Sequence, residues 1–422
     1  MSSTRDGVTA ERTRCRSCDA SSLETFLSLG DLPLPDALLT VDELANPEPR
    51  YPTHVAFCTA CSLVQLMADV PAERMFVDNY LYFSSYSDQL LAHAKRHTDQ
   101  LLTDRDLNAS SLVVEVASND GYLLRNLVDA GIPVLGIDPA PEPARAARDI
   151  GVPTLEAFFG QQLARELVAA GHRADVIIAN NVMAHVPDLG DFVAGMDMLL
   201  ADDGVITVEN PYVRDLIDHI EFDTIYHEHV CYYSCTSVDN LVRQHGLHLN
   251  DAEPFPALHG GTLRWWISKQ PGRSDRLAGL LEAEQRDGLT EVGYYQGFAG
   301  RVERLRTDLR ELIVALRQRG ASIAAYGAAA KGTVLLNHVG LDSDLIDFIV
   351  DRNPHKQGRY MPGVHIPISA PDRLVEVRPD YVLLLAWNFT DEILSQQGEY
   401  IDLGGRFIRP IPDPVILPEG PA

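Results

Sequence analysis

The sequence predicts a three-part α/β chain: a small cysteine-held module at the N-terminal end, followed by two open parallel sheets built from βαβ steps. Three observations predict it. Four of the six cysteines fall as two C-x-x-C pairs, Cys15/Cys18 and Cys58/Cys61. An apolar run, a turn and a helical stretch occur in that order around "SLVVEVASNDGYLL" and again around "SIAAYGAAAKG", each followed by a further apolar run at βαβ spacing. The 422 residues, 45% of them hydrophobic, can bury more than one core at roughly 100–200 residues per domain. The boundaries expected from these patterns are 1–69, 70–298 and 299–422.

In the first part, two residues between sulfurs let one tight turn present two thiolates to a tetrahedral zinc, and two such turns complete a four-sulfur site. With Cys15, Cys18, Cys58 and Cys61 filling every position, none is left for a substrate, so the expected Zn2+ is structural. It would hold a Pro-rich segment with little core of its own. A disulfide reading is disfavoured in a reducing compartment. The stretches "LPLPDALLT" and "NPEPRYP" read as extended loop and strand, and the distant Cys231 and Cys235 as buried small hydrophobes.

Charge narrows the partners. Against 60 acidic residues stand 35 basic ones, a formal charge of −25, which repels phosphate backbones and anionic lipid alike. Nucleic acid and membrane are therefore not expected partners. The first thirty residues lack an apolar signal core, and no uncharged apolar run reaches the ~18 residues of a membrane span. A cytoplasmic protein is expected.

The second part opens with the Tyr/Ser-rich "NYLYFSSYSDQLLAHAKRH", near whose end a helix should start. The run "SLVVEV" then reads as a buried strand carrying Glu115, and Ser118-Asn119-Asp120-Gly121 as the turn into a helix. The next strand, "PVLGID", ends in Asp138. A carboxylate at that tip can accept hydrogen bonds from both ribose hydroxyls of a nucleoside, which favours an adenosine cofactor. A nicotinamide fingerprint would need G-x-G-x-x-G beside a pyrophosphate, whereas this turn holds only Gly121. S-adenosylmethionine carries no phosphate and needs carboxylates near its charged end and its ribose, which Glu115, Asp120 and Asp138 supply. Phe158 or Phe159 of "LEAFFG" can lie against adenine, and Asn180 and Asn181 stand at the carboxyl end of the strand "ADVIIAN", where open α/β sheets bind ligands. His185 follows that tip as a supporting residue of its loop.

In the third part, "LRTDLRELIVALRQRG" has apolar residues at helical spacing and ends at Gly320, a connector helix. Ahead of it "LHGGTLRWWISK" reads as a closing strand with Trp265 and Trp266 in the core or on the sheet face. Gly327, Lys331 and Gly332 then occupy a strand-to-helix turn that suits a phosphate or hydroxyl ligand. Read as sheet packing, the same small residues need no ligand.

The ordered set C-x-x-C twice, "YLYFSSYS", "EVASNDGYLL", "GIDP", "NNVMAHVPD", "YHEHVCYYS" and "YGAAAKG" resembles the zinc-containing, S-adenosylmethionine-dependent C-methyltransferases that act on nucleotide-linked deoxysugars, of the type that methylates carbon 3 of a dTDP-4-keto-deoxysugar. It spans nearly the whole chain. The resemblance implies an S-adenosylmethionine domain of Rossmann-like fold between the zinc module and a C-terminal Rossmann-like domain. One departure is "EVASNDG", where many methyltransferases carry E-x-G-x-G.

The resemblance also implies roles. His229 would take the proton from carbon 3 of the sugar, chemistry suited to a base of near-neutral pKa. Tyr226 would donate to the enolate oxygen or position the substrate, and Glu228 would orient or charge the catalytic region. A second phenol would come from Tyr80 or Tyr82, which the sequence does not separate. Lys331, with Lys356 and Arg359 of "NPHKQGRYMPG", would lie near the substrate diphosphate. H-E-H does not have the spacing of a zincin site, H-E-x-x-H, so no catalytic metal is expected, and His227 reads as a surface or cofactor-facing residue. The implied setting is a branched deoxysugar of a glycosylated natural product such as an antibiotic, and a monomer is expected because three domains can bury their own apolar surface. Sugar O-methylation, a nicotinamide oxidoreductase and a non-catalytic nucleotide-sugar-binding protein are the competing readings.

Overall fold

The computed structural model describes residues 11–71, 75, 83–256 and 260–418. Tyr80 and Tyr82 lie outside the described residues. The chain builds three sheets. The first begins with β1 (Leu23–Pro33), β2 (Arg50–Cys58) and β3 (Val64–Leu66), paired antiparallel. Both cysteine pairs sit at tight turns beside it: the Asp19 amide donates to the Cys15 carbonyl and the Ser62 amide to that of Cys58. Asp19 and Ser62 close those turns with φ of 56° and 63°.

The second sheet holds β4 (Val113–Val116), β5 (Val134–Asp138), β6 (Thr154–Glu156), β7 (Ala174–Asn180) and β8 (Leu200–Pro211) as its parallel part. β-Branched runs such as "VVEV" suit strands covered on both faces, and all four residues of β4 are buried. A helix, Asp88–Asp104, precedes the sheet; Ser87 caps it by accepting from the Leu90 amide at 3.3 Å. After β8 the chain makes β9 (Cys231–Tyr232), which returns to the first sheet and pairs with β3. Then β10 (His248–Phe255) and β11 (Thr262–Ser268) close the second sheet antiparallel, giving the order β10-β11-β8-β7-β4-β5-β6. Trp265 is fully buried and Trp266 partly so.

The connector helix runs Phe298–Gln318, about 31 Å at 1.5 Å per residue. Its Val302, Leu305, Leu309, Ile313 and Leu316 make one apolar stripe that is buried. The third sheet follows: β12 (Ile323–Tyr326), β13 (Ile349–Val350), β14 (Ile368–Ser369), β15 (Tyr381–Leu384), β16 (Arg406–Arg409) and β17 (Val415–Leu417), in the order β14-β13-β12-β15-β16-β17 and parallel except at β17. Leu27, Leu29 and Leu32 of β1 share one apolar cluster with the connector helix and this third sheet. The N-terminal module thus has its apolar face completed by the far end of the chain. Among the described residues, no helix is long and apolar enough to cross a membrane.

Candidate active site

The sulfurs of Cys15, Cys18, Cys58 and Cys61 all lie within 4.8 Å of one another. Four thiolates at that spacing fit the donor set of a tetrahedral zinc and leave no open position. Next to them Arg16, its side chain fully buried, donates to the carbonyls of Leu66 and Ala68 at 3.0 Å each and pairs with Asp69 at 2.7 Å. It also reaches the Pro187 carbonyl beyond β7 at 3.4 Å. The knuckle is therefore tied to the second sheet as well as its own.

A cavity of about 310 Å³ opens at the carboxyl ends of β4, β5 and β7. Asn119, Asp138, Phe158, Phe159, Asn180 and Asn181, all expected there from the sequence, line it. The Asp138 carboxylate accepts from the amides of Asn119 and Ala140, each at 2.8 Å. Burial nevertheless pushes its pKa up to about 6, against the pull of those two amides. Asn180 lines the cavity, and its buried Oδ1 has no hydrogen-bond partner among the described residues. Phe159 meets Phe192 edge-on at 5.6 Å. An acid at the ribose position, aromatic walls and an orphan acceptor fit S-adenosylmethionine.

Four residues expected at the cofactor stand behind this wall. Glu115 is buried within β4, and burial, then Asp138 and Asp120, drive its pKa well above the usual carboxylate range. Ser118 faces Gly136, where an added Cβ would come within 2.5 Å of its Oγ. Gly121 packs on Val152 and Ala147. Asp120 accepts from the Ser85 amide at 3.2 Å, and Asn119 from the Ser84 amide at 2.8 Å, so the turn carries the 83–87 segment on top of it. The missing glycines leave a trace: Ala117 and Asn119, the E-x-G-x-G positions, have φ of 56° and 49°. The backbone keeps the left-handed path that glycine normally supplies. Tyr122 and His185 also line the cavity; the sequence marked His185 only as support for its loop and did not single out Tyr122.

His229 lies beyond the β7 end of this cavity. Its Nδ1 is 2.9 Å from the Thr224 carbonyl, which only accepts, so Nδ1 carries the proton. In the neutral ring Nε2 then presents a lone pair, to which the Tyr226 hydroxyl donates at 3.0 Å. The Tyr226 ring stacks on the imidazole at 4.1 Å between centroids, and His185 meets it edge-on at 4.8 Å. Desolvation pushes His185 down to about 4, against its contacts with the backbone of Glu228 and Asn181. His185, a cavity residue, thus bridges the cofactor site to His229.

The remaining expectations separate from this centre. Glu228 is buried, and its carboxyl is raised well above normal by burial and then by Asp36, with Lys356 opposing. Lys356 donates to the Ala328 carbonyl at 2.8 Å and lies 3.7 Å from Asp36, while Arg359 reaches the Leu38 carbonyl at 3.3 Å. Lys331 donates to Asn388 at 3.0 Å and sits over the Trp387 ring at 4.3 Å, with Asp223 and Glu221 as the carboxylates that bear on it. Gly327 has φ of 95° and packs so closely that an added Cβ would fall 2.8 Å from that of Ala386. His227 is neither at the surface nor at the cofactor: it is buried, 3.2 Å from the Tyr51 carbonyl, and burial lowers its pKa to about 4. Lying four residues before β9, it reaches the Tyr51 and Pro52 carbonyls of β2, a contact that no local pattern announces.

The family models match in the same order as these parts. A zinc binding domain matches residues 15–76, a methyltransferase domain 86–251, and a C-methyltransferase C-terminal domain 257–412. The chain is 35% identical over 408 residues to the C-methyltransferase NovU of Streptomyces niveus, covering 96% of each. The chain belongs to the zinc-containing, S-adenosylmethionine-dependent C-methyltransferase family. A shorter likeness, 35% over 89 residues, links this methyltransferase to a ubiquinone biosynthesis O-methyltransferase of Methylobacterium sp. (strain 4-46), over 20% of this chain and 34% of the relative. The crystal structure of magnesium protoporphyrin IX methyltransferase from Synechocystis PCC 6803 with bound SAH is 14% identical, with a TM-score of 0.35 over 47% of this chain and 92% of that one.

Proposed function

We propose that this C-methyltransferase methylates carbon 3 of a dTDP-linked 4-keto-deoxysugar through an enolate, supplying a branched deoxysugar for a glycosylated natural product. The observation that carries the reading is the fixed tautomer of His229: the Thr224 carbonyl holds the proton on Nδ1 and leaves Nε2 as a base. A hydrogen alpha to a ketone is the kind of proton such a base removes.

In this reading the Nε2 of His229 takes the proton from carbon 3, and the electron pair moves onto the C4 oxygen. The Tyr226 hydroxyl, hydrogen-bonded to Nε2 before substrate arrives, turns to that oxygen as it gains charge; one such donor is worth about 3 kcal/mol. His185, which lines the cavity, packs edge-on against the imidazole. Asp138 holds the cofactor ribose, Asn180 its charged end, and Phe158 or Phe159 its adenine. Bound there, S-adenosylmethionine would supply the electrophilic methyl for carbon 3, its S–CH3 bond breaking with the electron pair left on sulfur and S-adenosylhomocysteine as the leaving group. The family likeness to a named C-methyltransferase supports carbon over oxygen as the acceptor.

The test is incubation with S-adenosylmethionine and a dTDP-4-keto-6-deoxysugar, read by NMR, with His229→Ala in parallel. A methyl on carbon 3, absent with the variant while cofactor still binds, is expected. The variant should also lose exchange of the carbon 3 hydrogen with deuterated solvent. A methyl on oxygen would replace this reading with sugar O-methylation.

A further inference from the structure

Between the helix Val213–Asp218 and His229 the chain makes a single turn, Phe222–Thr224, on which the helix Ala330–Val339 of the third sheet packs. Asp223 in that turn has no exposed surface. A buried carboxylate needs partners, and Asp223 takes them from the far end of the chain. Its Oδ2 accepts from the Trp387 indole N–H at 2.7 Å. The Lys331 ammonium lies over the same indole at 4.3 Å and is itself placed by Asn388 at 3.0 Å. Trp387 therefore holds one side chain of this segment by a direct hydrogen bond, and Lys331, which Asn388 and the indole place, bears on the same carboxylate by its charge.

The next residue is Thr224, whose carbonyl orients His229. Thr224 has little freedom: its amide and its hydroxyl both donate to the Glu221 carbonyl, at 3.1 and 2.7 Å. A pinned Asp223 side chain on one side and this turn on the other fix the direction of the Thr224 carbonyl.

We propose that the C-terminal domain sets the orientation of His229 through Asp223, with Trp387 and Lys331 as positioning residues for the methyl transfer. The proposal rests on the reading of His229 as the base. It gives Lys331 a different task from the diphosphate contact that the sequence suggested, and the two tasks separate kinetically. A diphosphate ligand contributes to substrate binding, whereas a positioning residue contributes to turnover.

Trp387→Phe keeps the ring beneath Lys331 and removes only the N–H. With it, kcat should fall about tenfold, the loss of one hydrogen bond to a charged group, with the KM for a dTDP-4-keto-6-deoxysugar and the affinity for S-adenosylmethionine unchanged. The imidazole 15N resonances of His229, recorded with the ring neutral, should move from the single Nδ1–H tautomer toward a mixture. Asp223→Asn, which retains an acceptor for the indole, should keep most of the tautomer preference. If Trp387→Phe does not fold, Asp223→Leu read by the same resonances carries the test. A raised KM at unchanged kcat, or unaltered resonances, would overturn the proposal. His229→Ala separates the two readings: retained turnover there removes the base role, while the tautomer result still reports on Asp223.

Discussion

Asp138 shows how one residue can be legible in type and position yet take its ionisation from the fold. An acid at the end of "PVLGID" is visible in the sequence; its pKa of about 6 is not, because that comes chiefly from burial among elements remote in the chain. Native Asp138 binds its proton more tightly than the unfolded chain does. Its contribution to stability therefore falls as pH rises from its ordinary value of 3.8 to about 6. Under the proposed role of Asp138, cofactor binding runs the other way, since the ionised form would accept from the ribose. We expect affinity for S-adenosylmethionine to be level above pH ~6 and to weaken up to about tenfold per unit below it, measured by calorimetric titration. Asp138→Asn should bind weakly with a flat profile; a sloping profile in that variant would assign the titration elsewhere.

At the scale of elements, the helices and strands follow local pattern, and their docking does not. The helix Asp88–Asp104 was expected, but it starts midway through the Tyr/Ser-rich segment and not near its end, and it also buries His93 and His97. The reason lies on β8, where Glu209 accepts from His93 at 2.8 Å and pairs with Arg264 of β11 at 2.6 Å. Burial alone would raise the Glu209 pKa; the His93 hydrogen bond and the charge of Arg264 overcome it and hold the carboxylate at about 2. Its stabilising contribution is full above the ordinary value of 4.5 and is lost as pH falls toward 2. Removing one partner strands a buried charge, so Arg264→Met should cost about 3–5 kcal/mol in urea unfolding. Adding Glu209→Leu should recover part of that loss. A double variant as unstable as the sum of the singles would mean that the pair is not coupled.

Over the whole molecule, the zinc module is less a separate domain than a joint. Phe57 of β2 stacks on Tyr295 at 4.8 Å, just before the connector helix, and β3 pairs with β9 two residues after His229. Zinc removal should therefore reach the catalytic segment. Structural zinc binding is worth on the order of 10 kcal/mol, and the module has little apolar core of its own to replace it, a cluster of Tyr51, Val70 and Met75 with Leu34. Chelation should release one zinc per chain, lower the melting temperature and reduce turnover more than cofactor affinity, since the cavity is built on β4 to β7. Metal analysis, thermal denaturation and the methyl-transfer assay on one sample check this. Full turnover in zinc-free protein would show that the joint does not bear on His229.

What the sequence determined by itself was whatever depends on short spacing: the two cysteine knuckles, the strand tips that carry Asp138 and Asn180, and the cluster that holds Tyr226 and His229. Two-residue and βαβ spacings act within one turn or one crossover, so they can be read along the chain. Tertiary structure alone decided which side chains face one another across those elements. It set His185 against His229, buried Glu228 within the fields of Asp36 and Lys356, buried His227 against β2, and placed Lys331 within the field of Asp223. Such pairings are fixed by packing between segments far apart in sequence, where desolvation and the need to satisfy every buried charge select the partner.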